Sequence, residues 1–204
     1  MGDLPDWNTQ IQGVNVQATN IIYGLDAAKP AAPGQGDVWV ATDTGKVYIA
    51  FTAGTWTDIT GESNPACRVY NDADITVNLS TDTLITLNSE LFDNAGIHST
   101  STNTSRLVAP KAGVYNIFGS VQWSTYAGNH RVDIYIRLNG ATIIAYQRNF
   151  NNSGKTQQTI STLYKLAAGD YVELVAYDGD IGGLKVEAFG GFSPHFGMAW
   201  VSGG

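Results

Sequence analysis

Charge is what this 204-residue chain has least of. Only 14% of its residues are Asp, Glu, Lys or Arg, against roughly a quarter in an average soluble domain. Eleven scattered Lys and Arg face eighteen Asp and Glu, for a net charge of -7. A nucleic-acid binder needs clustered cations to displace counterions from phosphates, and an anionic lipid surface needs a basic face. No nucleic-acid partner and no such lipid contact are expected. Cysteine is almost absent too. Cys67 stands alone, so no internal disulfide and no Cys-rich metal site is expected, and a small buried apolar role suits it. There is no run of about 18 apolar residues, so no spanning helix and no membrane insertion are expected. The opening Met1-Gly2-Asp3-Leu4-Pro5-Asp6 has no basic region followed by an apolar run, so no secretory signal is expected there.

The chemistry of catalysis is missing as well. No Gly-x-Ser-x-Gly elbow occurs. Gly154-Lys155 lacks the rest of a phosphate loop and reads as a turn. His98, His130 and His195 lie far apart, without the carboxylate spacing of a metal triad. The carboxylate pairs Asp72/Asp74 and Asp178/Asp180 remain. Asp178-Gly179-Asp180 has the hard oxygens that calcium takes, but a solvated turn is the plainer reading. A glycan-processing enzyme would need two such carboxylates to converge in a groove. The expectation is no enzyme, no cofactor and no metal.

What is present points to β-structure. The chain is 43% hydrophobic, with 23 glycines and 10 tyrosines, and it holds no amphipathic helix of useful length. Residues 1–34 read as an extended arm, rich in Asn, Gln and Thr up to Asn20 and closing on a Pro/Gly segment that resists helix. Its apolar residues, Trp7, Ile11, Ile21 and Ile22 among them, are too sparse for a core and suit docking on a partner. Residues 35–61 form a small three-stranded β-module: Val38–Val40, Val47–Phe51 and Trp56–Ile59, split by turns at Asp43-Thr44-Gly45 and Ala53-Gly54. A meander this short is marginal alone and should pack on something, copies of itself included. Residues 62–66 read as a linker.

From Cys67 onward β-runs recur at short intervals. The sequence predicts strands near 68–71, 75–79, 83–87, 106–109, 114–123, 131–138, 141–148, 157–166, 171–177, 184–188 and 195–201. Asn139-Gly140 between two of them is a strong hairpin signal, because both positions need positive φ. Residues 67–204 are therefore read as one antiparallel sandwich. Val132, Ile134, Ile136 and Leu138 share one face of their strand, while Arg131, Asp133, Tyr135 and Arg137 share the other. Strand 171–177 has Val172, Leu174 and Ala176 on one face, and Tyr171, Val175 and Tyr177 flank Glu173 on the other. Strand 114–123 sets Tyr115, Ile117, Val121 and Trp123 against Phe118 among polar residues. A second face that is partly aromatic suits a subunit interface, with Phe118, Tyr135, Tyr171, Val175 and Tyr177 as candidates. A larger core shared by both sheets would give the same pattern.

The order of short motifs in 67–201 resembles the C1q/TNF-like jelly-roll family. Cys67-Arg68-Val69-Tyr70-Asn71 looks like its first strand, and Leu87 to Asp93 like its second landmark. Leu107 ahead of Gly113-Val114-Tyr115-Asn116-Ile117 is similar to its most recognisable element. Leu138-Asn139-Gly140, Leu166-Ala167-Ala168-Gly169-Asp170 and Phe196-Gly197 follow in the family's order. Leu87, Leu107 and Ile117 stand where the family usually has Phe, and His98 where an aromatic is usual. The resemblance implies a homotrimer and a binding role.

Residues 36–60 resemble a short β-module of bacteriophage tail-fibre and head-fibre proteins, on Gly36-Asp37-Val38-Trp39-Val40-Ala41-Thr42-Asp43-Thr44-Gly45-Lys46-Val47-Tyr48 and Gly54-Thr55-Trp56-Thr57-Asp58-Ile59. That resemblance implies a virion-surface protein made in a host cytoplasm. Its arm would bind other virion proteins of the capsid or tail. The expected function is a trimeric head fibre or capsid decoration protein. A tail-fibre receptor-binding adhesin and a non-viral C1q-like binding protein are the alternatives. Trp123, Tyr126, Tyr146 and Phe150 flank sandwich loops beside Asn149, Asn151 and Asn152, a composition that suits a host glycan or protein ligand.

Overall fold

The protein is seen in a computed structural model that describes residues 20–60, 64–152 and 154–203. These fall into two compact units that divide between Glu62 and Ser63.

The first unit is a four-stranded sheet. Among the described residues it comprises β1 (Asn20–Gly24), β2 (Asp37–Ala41), β3 (Val47–Thr52) and β4 (Thr55–Asp58), in that spatial order, with a 3-10 turn at Asp26–Ala28. β1 lies within the stretch read as an extended arm and corrects the expectation of a three-stranded module. β1 pairs parallel with β2, Ile22 opposite Trp39. Parallel pairing needs a long crossover, here the Pro/Gly segment between them, so no local hairpin signal announces it. The buried cluster lies on one face: Trp39, Ala41 and Tyr48, with Ile22 and Trp56 packed against it. The crossover is fastened over that face. Tyr48 Oη donates to Asp26 Oδ1 (2.8 Å), Trp56 Nε1 donates to the Pro30 carbonyl (2.7 Å), and Lys29 Nζ sits 3.3 Å from the Tyr48 ring centre. The Tyr48 hydroxyl is the main reason the Asp26 carboxyl is held below its usual pKa.

The second unit holds twelve strands: β5 (Ala66–Tyr70), β6 (Ile75–Val77), β7 (Thr83–Leu84), β8 (Ser89–Asp93), β9 (Arg106–Val108), β10 (Gly113–Trp123), β11 (Asn129–Leu138), β12 (Thr142–Asn152), β13 (Thr156–Leu166), β14 (Tyr171–Asp178), β15 (Leu184–Val186) and β16 (His195–Ser202). One sheet runs β6-β15-β10-β16-β5-β8, with β13 on the other edge of β10. The facing sheet runs β12-β11-β14-β7, with β9 also on β14. Pairing among these strands is antiparallel throughout. The Asn139-Gly140 hairpin is present, with φ of 50° and 71°, where glycine and asparagine carry no undue strain. The chain switches sheets repeatedly, which is the jelly-roll arrangement.

Strand alternation builds the core. Tyr115, Ile117, Val121 and Trp123 of β10, Phe196 and Met198 of β16 and Val69 of β5 meet Val132, Ile134, Ile136, Val172, Leu174 and Ala176 of the facing sheet. Gly119 is tightly enclosed by this contact. An added Cβ would stand 3.0 Å from Leu174 and 3.1 Å from Phe196.

Candidate interaction surfaces

The outward faces of the two sheets differ in kind. On the β11 sheet the face is a lattice of ion pairs. Asp133, buried on β11, accepts from Arg131 Nε (2.9 Å) and Arg148 Nε (3.1 Å). Arg148 also donates to the Tyr146 hydroxyl (2.7 Å). Burial works against ionisation of Asp133, but the bonds from Arg131, Tyr146 and Arg148 outweigh it and hold the carboxyl below its usual pKa. Glu173, buried on β14, takes Arg106 Nε and Arg137 Nη2, both at 3.2 Å, and Arg137 reaches on to Asp82 (3.4 Å). The charges on this face satisfy one another within the chain.

The β10 sheet presents fewer charges outward, Arg68 opposite Gly197 and Lys165 on β13 among them. Alternation and register place Asn116, Phe118, Ser120 and Gln122 of β10 beside Leu163, Ser161, Thr159 and Gln157 of β13. On the other side Ala199, Gly197 and His195 of β16 lie beside the same β10 strand. Phe118 lies over Gly197, where a Cβ would come within 2.5 Å of its ring. Its centroid is 6.3 Å from that of His195. Phe118, Ser161 and His195 line a shallow cavity of about 240 Å³. Burial lowers the His195 pKa, although its Nδ1 lies 2.7 Å from the Phe192 carbonyl. Leu163, Phe92 and Phe192 stand 65%, 48% and 66% exposed.

The five candidate interface residues are therefore split. Phe118 is on the low-charge face. Tyr135, Tyr171, Val175 and Tyr177 belong to the ion-paired sheet. Val175 is fully buried and Tyr135 nearly so. Val175 lies between Tyr135 and Leu84 on the neighbouring strands, so its own chain already covers it. Tyr171 is half-buried beneath the Arg106 guanidinium (4.0 Å), and Tyr177 faces Arg131 at 5.4 Å.

The ligand candidates divide as well. Trp123 corrects the expectation of an exposed aromatic. It is fully buried, and its indole Nε1 donates to Gln158 Oε1 at 2.6 Å. Its parity with Tyr115, Ile117 and Val121 turns it inward. Tyr146 and Phe150 alternate with Arg148 along β12 and are 47% and 49% exposed. Tyr126, on the β10–β11 loop, packs edge-on against His130 at 4.7 Å. Of the attachment candidates, Ile22 packs on the Trp39 cluster and Ile21 is exposed. Trp7 and Ile11 lie outside the described residues.

The acidic turn is occupied by its own backbone. Asp178 accepts N–H bonds from Asp180, Ile181 and Gly182, at 3.1, 3.3 and 2.9 Å. That geometry uses both carboxylate oxygens to close the loop. His98 is buried, with Nδ1 3.0 Å from Glu90 and Nε2 3.2 Å from the Thr104 carbonyl. Among the described residues no cluster of three His, Cys, Asp or Glu is placed to hold a metal. Sequence reading missed Phe189 and Phe192, whose rings lie 6.2 Å apart on a loop carrying Gly190-Gly191. An apolar pair flanking a Gly-Gly turn was the available signal.

No protein-family description matches the sequence, and no curated protein is similar to it. Among solved structures the chain is similar to murine APRIL in a crystal structure at pH 5.0, with a TM-score of 0.51 and 8% identity, over 68% of this chain and all of that one. It also aligns with the globular domain of the zebrafish complement 1qA protein, at a TM-score of 0.47 and 17% identity, over 69% of this chain and 98% of that one. At 8% identity the likeness to the APRIL structure concerns fold alone: the chain contains an antiparallel jelly roll of that kind.

Proposed function

We propose that this chain is a structural binding protein that acts as a homotrimer. One observation carries the reading. The ion pairs of the β11 sheet close on themselves, while the β10 sheet presents Phe118 and Leu163 in a setting of Ser, Thr, Asn and Gln. A subunit contact favours the second surface, because taking charged groups out of water is costly even when they are paired, and desolvating apolar and neutral groups costs less. The β10 face, centred on Phe118, is then the trimer contact. The native mass should be about three times the 21.8 kDa chain, as closed symmetry requires. Phe118→Glu should reduce it to a single chain, and Tyr177→Glu should leave it unchanged. A wild-type monomer at micromolar concentration would end this reading.

The setting we propose is the surface of a bacteriophage particle, as a head fibre or capsid decoration protein whose N-terminal residues attach it to other virion proteins. The phrase from Gly36 to Ile59 supports this, together with the order of arm, β-module and jelly roll. A tail-fibre adhesin is the second reading. It is favoured by Tyr146, Phe150 and Tyr126, which remain exposed and suited to a host glycan or protein. Immunogold labelling of intact particles separates the two. Gold over the capsid supports decoration, gold at the tail tip supports adhesion, and particles without gold would overturn the virion assignment in favour of a free binding protein.

A further inference from the structure

The sheet of the first unit has two faces, and among the described residues a buried cluster lies on one of them. Register puts Ile21, Val38, Ile49 and Thr57 in one cross-strand row and Tyr23, Val40 and Val47 in the next. Neither row contains a charged residue. Both lie opposite the row Ile22, Trp39, Tyr48 and Asp58, the face that carries the buried cluster. Ile21 and Tyr23 are 53% and 67% exposed, and Val38, Val40, Val47 and Ile49 are half-buried. A β-branched surface of this kind, with no charge to solvate, is ordinarily covered.

Size decides what covers it. Four strands about 4.8 Å apart, with a rise of about 3.3 Å over some five residues, give a face of roughly 300 Å². Three such faces bury roughly 900 Å² together, short of the ~1,200 Å² at which specific interfaces begin. The face is too small to capture a freely diffusing protein. It is large enough to close when covalent attachment supplies millimolar effective concentration. The segment 59–65 between β4 and β5 is short, so a jelly-roll trimer delivers two further copies of the same face at that concentration.

We propose that the face of Val38, Val40, Val47 and Ile49 packs against the same face of two other copies of this chain, in a three-sided prism with an apolar axis. The proposal rests on the trimeric reading of the jelly roll. It adds that the N-terminal unit is a second, dependent assembly element. Three sheets around an axis leave none of these faces free, as closed symmetry requires.

The test uses the full-length chain with Val40→Cys, and with Thr44→Cys in the exposed β2–β3 turn as a control at the same tether length. Each is treated with a short thiol–thiol cross-linker, and native mass is measured alongside. Linked chain pairs from Val40→Cys and only traces from Thr44→Cys are expected. Equal linking of both variants would mean that the units collide without seating, and the proposal would fail. A trimeric mass with no linking of the Val40→Cys variant would sink the proposal and leave the jelly-roll trimer standing. A monomeric mass would remove both. Linking of Val40→Cys only after residues 1–19 are deleted would show that the chain's own N-terminus covers the face, which also overturns the proposal.

Discussion

Trp123 and Gln158 form a hydrogen bond inside the sandwich, indole Nε1 to amide Oε1 at 2.6 Å, with both residues out of contact with solvent. They sit on adjacent strands, and the Gln158 amide group also reaches the Val132 carbonyl across the core (3.4 Å). The pair therefore couples the two sheets through a polar contact in apolar surroundings. Trp123→Phe strands a buried acceptor and opens a void, and should cost about 3 kcal/mol. Gln158→Leu strands the indole donor and should cost about 2 kcal/mol. The double variant should cost less than the sum, because no orphan then remains. Denaturant titration of the four proteins measures this. Strict additivity would mean that the bond contributes nothing beyond packing.

The same residue shows how legible the chain is. Parity along 114–123 groups Trp123 with Tyr115, Ile117 and Val121, and that row is the core. Its place at the end of a strand, next to a loop, is what gives it the look of a ligand contact. Local alternation identifies faces, but it does not say which sheet a strand joins. That is why alternation alone puts Phe118 together with Tyr135 and Tyr177, which lie on the other sheet. The burial of Val175 and Tyr135 is hidden for a similar reason. Val175 has Leu84 beside it, Tyr135 has Tyr146 and Val175, and the surrounding charges are held by Asp82 and Arg106, far away in sequence. β1 escapes because its partner is parallel and lies beyond a Pro/Gly crossover.

Gly24 is placed under the Trp39 ring, and a Cβ there would come within 2.6 Å of two ring carbons. Trp39 is buried and packed in a cluster with Tyr48, Ile22 and Trp56. Gly24→Ala should therefore destabilise the first unit by about 1–3 kcal/mol, the usual cost of overpacking. The jelly roll should be unaffected. Hydrogen exchange should show loss of protection in β1 and β2, with β10 and β11 unchanged. Unchanged protection in β1 would mean that the ring can move aside.

Asp133 ties acid stability to the ion-paired face. Its folded pKa lies below the unfolded value, so the stabilisation it gives is complete above the unfolded value of about 3.9. It is lost as pH falls through the folded value. Asp133→Asn should flatten the stability profile in that acid window. At neutral pH it should cost on the order of 3 kcal/mol, since Arg131 and Arg148 lose their counter-charge and one of them then faces an NH2 donor. A variant profile parallel to wild type throughout that acid window would show that Asp133 is not the titrating group.

Cys67 sits at 1% exposure between the sheets, and burial pushes its thiol pKa up to about 12. The thiolate is the reactive form, so in the folded protein it is both scarce and shielded. Native protein at mildly alkaline pH should react with a disulfide reagent such as Ellman's only as fast as the jelly roll opens. Denatured protein should react within the mixing time. The native rate should rise with denaturant in step with global unfolding. A fast native rate, independent of denaturant, would mean that β5 and the edge strand β8 fray without the rest of the sandwich. Tyr70 and Val69 would then be exposed with it, which hydrogen exchange on the same samples would detect.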